Sequence, residues 1–236
     1  VQNNKIRNKK VKWINKINEV KNGPVIFLGN EFFDALPIKQ IYKKENFILE
    51  KHIALSNDKK GFKFLYKKIN KKSIKYNEIL DLSSVKNIVE YPIDAIKYLI
   101  DISKKIDKFD GALLIFDYGY FAERNKNTLQ SVMNHRYNDI FSKIGYSDIT
   151  SHIDFKLFNK ILKKNNLEVK KVTTQSEFLQ KMGIVERANL LSKKMTFKSK
   201  ANMYYRLKRL LSPNEMGELF KVLFAQKKGG KFSLGF

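Results

Sequence analysis

Cysteine is absent from this chain of 236 residues, which removes disulfides, thiolate nucleophiles and zinc–cysteine sites. Long apolar runs are missing as well. The longest, such as Ala112 to Phe116, fall far short of the roughly 20 residues that span a bilayer, so no membrane insertion is expected. There is no Gly-x-Ser-x-Gly elbow and no phosphate-binding P-loop. His152 and Asp154 lack the paired-histidine spacing of a zinc helix and have no obvious third ligand, so no metal is expected. Arginine is scarce: only six of the 47 basic residues are Arg. The net charge of +24 therefore reflects lysine spread over every expected element. Clustered arginine, the bidentate reader of phosphate and guanine, is not found. This is general surface basicity that attracts acidic protein surfaces at low salt, with no dedicated nucleic-acid partner expected. No signal-peptide pattern opens the chain, and it begins at Val1 rather than Met, so the true amino terminus is expected to be missing.

Hydrophobic residues make up 43% and aromatic residues 13% of the chain, enough for a packed core. The spacing predicts an α/β fold. Val25 to Leu28 and Gly111 to Phe116 are short apolar runs bounded by turn signals, the pattern of buried parallel strands. Ile38–Tyr42, Phe47–Ile53 and Phe62–Tyr66 alternate with period two, predicting a β-hairpin or meander inserted over residues 38–82. Residues 1–20 suggest a helix end leading to a short strand, and residues 79–84 a linker. Helices are predicted from Pro92, in its favoured first-turn position, and over 155–164, 175–182, 184–194 and 201–211. Further strands are expected at 167–172 and 220–225, and a polar loop between Tyr120 and Phe155.

The segment Gly29-Asn30-Glu31-Phe32-Phe33-Asp34-Ala35-Leu36-Pro37 carries the most chemistry. In open α/β sheets, ligands sit just beyond the carboxyl ends of the strands. Asn30, Glu31 and Asp34 are therefore expected at a site walled by Phe32 and Phe33, suited to a flat, hydrogen-bonding nitrogen group. The other reading of the two acids is helix entry, since acids favour a first turn. Asp117 and Tyr118, ending the second buried strand, would form the opposite wall. His135 lies in one dense polar segment, and Asp148, Thr150, His152 and Asp154 in another. The second of these either lines a pocket or caps the 155–164 helix, and the two roles are compatible.

Gly29 to Pro37 resembles the signature of the MidA-like methyltransferase family, which includes the mitochondrial complex I assembly protein arginine methyltransferases. Four more blocks match in order: Glu90-Tyr91-Pro92; Asp117-Tyr118-Gly119; Asp148 to Phe155; and Thr174-Gln175 through Phe178-Leu179 to Met182-Gly183-Ile184. Pro213, Met216-Gly217 and Phe220 to Leu223 end the match. The resemblance implies a class I (Rossmann-like) S-adenosyl-L-methionine-dependent fold, a seven-strand sheet with helices on both faces, over one domain spanning 1–236. It implies methylation of an arginine on an NADH dehydrogenase (complex I) subunit. It places Asn30, Glu31 and Asp34 in catalysis and Gly29 and Asn30 beside the cofactor. Phe32, Phe33, Asp117, Tyr118, His135, Asp148, Thr150, His152 and Asp154 would contact substrate. The expected location is the bacterial cytoplasm, or the mitochondrial matrix in a eukaryote.

One departure stands out. The family's glycine-rich loop after its first strand, and the acid after its second, hold the cofactor's methionine and ribose. No Gly-x-Gly turn following a strand precedes Val25. The chain is therefore expected to be a carboxyl-terminal portion lacking the first βαβ unit: a fragment, or half of a split or degenerate protein. The alternative function is a non-catalytic assembly or binding protein on the same fold.

Overall fold

Pro24 and Gly29 bracket the first apolar run, and that run forms β1 (Val25–Asn30). A computed structural model describes residues 10–45, 47–70, 72, 74, 87–122 and 127–236. After β1 comes a meander of β2 (Lys39–Lys44), β3 (Phe47–Leu55) and β4 (Phe62–Lys68), then β5 (Ile88–Tyr91) and helix α1 (Ile93–Phe109). β6 (Gly111–Tyr120) leads to three short strands, β7 (Gln130–Met133), β8 (Arg136–Asn138) and β9 (Asp148–Thr150). β10 (Ile153–Asp154) feeds helix α2 (Phe155–Lys164), followed by β11 (Leu167–Val169) and β12 (Thr173–Thr174). Helices α3 (Gln175–Lys181), α4 (Ile184–Ser192), α5 (Phe197–Leu211) and α6 (Met216–Leu219) precede β13 (Phe220–Lys227).

The main sheet runs β1-β6-β13-β11. β1 and β6 are parallel, β13 is antiparallel to β6, and β11 is antiparallel to β13. Helices α1 and α2 cover one face with Ile96, Leu99, Ile106, Phe158, Ile161 and Leu162, packed on Leu113, Ile115, Leu223 and Ala225 of the strands. On the other face, Phe116 meets Phe178 edge-on and Phe178 meets Phe236 at a tilt, with ring centroids 5.3 and 5.2 Å apart. Among the described residues β1 is an edge strand, and its Ile26 and Leu28 are 77% and 69% exposed. The meander makes a separate sheet, β4-β3-β2-β5, in which β5 pairs with β2 and so returns the chain to α1.

Several elements differ from the sequence expectation. Residues 121–154 were expected as a polar loop, yet they hold the sheet β8-β7-β9 and the strand β10. These strands have almost no apolar alternation and form through pairing with each other and with β6. Pro92 is the N-cap of α1 rather than a first-turn residue. β11 stops at Val169, and α5 begins at Phe197, where the Thr196 side chain accepts from the Ser199 N–H. Residues 10–20 hold a 3-10 turn (Ile17–Glu19) and no strand. The 79–84 linker and residues 1–9 lie outside the described residues.

Gly119 lets β10 approach β6: a Cβ there would lie 2.2 Å from the Ile153 carbonyl oxygen. Gly119→Ala is expected to destabilise the protein by about 1–3 kcal/mol in urea unfolding, the usual cost of overpacking. Gly61→Ala, whose nearest neighbour would be Ser56 Oγ at 3.8 Å, should stay within about 0.5 kcal/mol.

Candidate active site

The crevice begins where β1 ends. The Glu31 N–H still donates to the Phe116 carbonyl at 3.0 Å, but its φ of 47° turns the chain off the strand. No helix follows; residues 33–36 form a turn, with the Leu36 N–H on the Phe33 carbonyl. That kink separates the two acids. Asn30 and Glu31 stand exposed side by side, with Asn30 Nδ2 3.5 Å from Glu31 Oε1. Asp34 is folded under the loop at 4% exposure.

Asp117 sets the loop's shape. It is 0% exposed, and its Oδ2 accepts from the N–H groups of Phe33 (3.0 Å) and Asp34 (3.3 Å). Its Oδ1 accepts from the Tyr118 N–H at 3.0 Å. The Tyr118 hydroxyl donates to Asp34 Oδ2, and the Asp34 carbonyl accepts from the Ser151 N–H at 3.0 Å. Burial first, and then the Asp34 carboxylate, push the Asp117 carboxyl up to about 7, against the pull of its three N–H donors. Burial and the bond to Asp34 also push the Tyr118 phenol up.

The aromatic walls divide in the same way. Phe33 is buried edge-on against Phe158, at 5.2 Å. Phe32 remains partly exposed and meets Tyr98 edge-on at 5.4 Å. Beyond Tyr98 lies a cleft of about 510 Å³ between residues 15–18 and α1, lined also by Leu36, Asp94, Lys97 and Asp101.

Of the other expected site residues, His152 and Thr150 come to the crevice. The His152 ring meets Tyr118 at 5.6 Å, and Thr150 accepts from Gln130 Nε2 at 3.2 Å. Asp154 caps α2, its side chain accepting from the Leu157 N–H at 2.9 Å. His135 sits in the β7–β8 turn with φ 61°, and Asp148 is exposed on β9; neither joins the Asp117 network.

The sequence reading gave no role to Glu90. This buried acid accepts from the Thr128 and Leu129 N–H groups (2.9 and 3.2 Å), from Gln40 Nε2 (2.8 Å) and from the Thr128 hydroxyl. Thr128 Oγ1 in turn accepts from the His152 N–H at 2.9 Å. An acid between Val89 and Tyr91 in an otherwise apolar strand was the available signal, because a buried carboxylate requires donors.

A family model described as "Putative S-adenosyl-L-methionine-dependent methyltransferase" matches residues 1–173. The chain belongs to that family. It is the MidA-like family, and its members depend on S-adenosyl-L-methionine. Among curated proteins, the chain is 27% identical over 209 residues to the Danio rerio "Protein arginine methyltransferase NDUFAF7, mitochondrial", covering 89% of this chain and 49% of that one. The Xenopus tropicalis protein of the same name is 29% identical over 213 residues, covering 89% and 48%. The chain thus spans about half the length of the curated relatives it matches. A Burkholderia thailandensis structure bound to S-adenosyl-homocysteine superposes with a TM-score of 0.77 at 24% identity, over 96% of this chain and 58% of the other. A native structure from the same organism gives 0.78 at 24% identity, over 96% and 60%. These likenesses give the MidA-like chain a class I-type methyltransferase fold.

The described residues fit only part of the cofactor. Exposed Asn30 and Glu31 offer polar groups at the end of β1. A Cβ on Gly29 would meet Phe33 at 3.4 Å, in ordinary contact, so Gly29 leaves no open cradle. Among the described residues no glycine-rich turn follows β1 or β6 to receive a carboxylate.

Asp117→Ala would orphan the Phe33, Asp34 and Tyr118 N–H groups, and each buried donor left unpaired costs about 1–3 kcal/mol. The pH dependence has a definite sign. With Asp117 raised from 3.8 to about 7, the unfolded chain releases its proton first. The stability contributed is full below about 4, falls as pH rises to about 7, and is level above that. Asp117→Asn removes this slope, so its stability relative to wild type should climb between these pH values in a urea-unfolding series.

Proposed function

We propose that this chain carries the acceptor side of an S-adenosyl-L-methionine-dependent protein arginine methyltransferase acting on a subunit of NADH dehydrogenase (complex I). The single observation that carries the reading is the end of β1, where an exposed amide and acid share a loop fixed from beneath by Asp117. The names of the curated relatives support arginine as the acceptor and a mitochondrial location in a eukaryote.

When bound, S-adenosyl-L-methionine supplies an electrophilic methyl group. On this chain, Glu31 pairs with the guanidinium and Asn30 Oδ1 accepts from a second N–H, which orients one nitrogen toward the crevice. A charge-assisted hydrogen bond of this kind contributes about 1.5–3 kcal/mol. Removing a proton from a guanidinium of pKa above about 12 before transfer would cost at least about 7 kcal/mol at neutral pH. Glu31 therefore takes the proton as the nitrogen gains its methyl group, and positioning supplies most of the acceleration. Asp34 and Asp117 hold the loop. Phe32 borders the acceptor, and the polar cleft past Tyr98 receives the flanking substrate chain. Tyr118, Thr150 and His152 form the far wall.

The edge of β1, unpaired among the described residues, is where the strands that build the donor's side are expected to pair. A second reading, a non-catalytic assembly protein on this fold, is favoured by the partial cofactor fit. Equilibrium binding of S-adenosyl-L-methionine, measured with the donor-side strands present, separates the two readings, since only the enzyme requires it. Transfer of labelled methyl to arginine, located by mass spectrometry on the isolated subunit, tests the reaction. Glu31→Gln should lower kcat by about 10²–10⁴-fold, the range of general-base catalysis, with donor affinity retained. Full activity in that variant would remove Glu31 from the mechanism. Donor binding without arginine methylation would refute the proposed reaction.

A further inference from the structure

Helices α4 and α5 form a hairpin with a firm base and a bare apex. At the base, Gln175 Nε2 donates to the Leu210 carbonyl at 3.1 Å. The Tyr204 hydroxyl donates to Asn189 Oδ1 at 2.7 Å and tethers α5 to α4. The apex is capped by Thr196, so it is ordered structure. Every residue from Lys193 to Asn202 is nonetheless exposed.

Two kinds of side chain crowd this apex. Phe197 is 88% exposed and Leu190 66%, with Leu191 and Met195 beside them in sequence. Exposed apolar residues gathered in one place mark an interaction site. Around them stand Lys193, Lys194, Lys198 and Lys200, and among the described residues no carboxylate pairs with any of the four. Residues 184–211 contain eight basic side chains and a single acid, Glu186.

We propose that the α4–α5 hairpin docks the protein on an anionic bilayer surface, with Phe197, Leu190, Leu191 and Met195 entering the interface and the lysines meeting the headgroups. Apolar residues within a basic, acid-poor segment are the composition of interfacial helices. Lysines held within a Debye length of an anionic leaflet are attracted to it. A projecting apex needs no shaped pocket in a bilayer, whereas a folded acidic protein would have to supply one. No helix among the described residues is long and apolar enough to cross a membrane. The longer segment from α3 to α6 that carries the hairpin leaves the sheet after Thr174 and rejoins it at β13, whose Lys221 pairs with Thr174 and with Asp117. The inference does not depend on the methyl-transfer reading, and its test needs no donor.

The test is co-sedimentation of the protein with phosphatidylcholine vesicles, with and without about one-third phosphatidylserine, at about 0.15 M salt. Binding is expected only to the anionic vesicles. The double variant L190E/F197E and the milder F197S should each weaken it, the former at least about tenfold. K193E/K194E/K198E/K200E should do the same. K43E/K44E/K59E/K60E, an equal charge change on the meander sheet, should bind within about twofold of wild type. All of these positions are exposed, and matching urea-unfolding midpoints would show that the variants fold. Absence of vesicle binding would overturn the proposal. So would equal loss in the meander variant, which means general adsorption of a basic protein, or wild-type binding by L190E/F197E. Apex-dependent binding to a polyglutamate peptide without vesicle binding would instead indicate an acidic protein partner and overturn the bilayer.

Discussion

The carboxylate of Asp117 accepts three backbone N–H groups from two different segments, and the shape of the crevice follows from that. A buried amide must find a partner, and a buried carboxylate is tolerated only where donors surround it. Phe33 and Asp34 belong to the loop after β1, and Tyr118 to β6 itself. One side chain thus ties the end of one parallel strand to the loop leaving its neighbour. With the loop drawn down, Asp34 turns inward to Tyr118, and Asn30 and Glu31 are left facing solvent.

Glu90 plays the corresponding part on the far side. It joins β5 and, through Gln40, the meander sheet to the segment at Thr128 and Leu129. Thr128 passes that connection to the backbone of His152. The meander sheet is therefore connected to the crevice wall through a chain of hydrogen bonds.

Much of this was legible in the sequence, for identifiable reasons. β1 and β6 contain short apolar runs ending at polar residues, and the meander strands are apolar and aromatic segments separated by polar turns. α2 matched its expected bounds because five apolar side chains recur on one face and Asp154 caps it. Glu31 and Asp34 looked equivalent in sequence. Only the positive φ at Glu31, which no residue pattern announces, sends one outward and the other inward. β7, β8 and β9 were invisible because their order comes from pairing rather than from an apolar face. The first turn of α5 was missed because Phe197 points into solvent and gives no helical periodicity. The family was legible through ordered motif blocks, and the match over residues 1–173 shows it.

Amide hydrogen exchange at Phe33 and Asp34 tests most directly whether Asp117 holds the crevice loop. These two N–H groups belong to a turn, yet if the carboxylate holds them they should exchange as slowly as the amides of Leu113 and Ile115 in β6. Exchange as rapid as that of Lys59 and Lys60 in the exposed β3–β4 turn would contradict the central role given to Asp117.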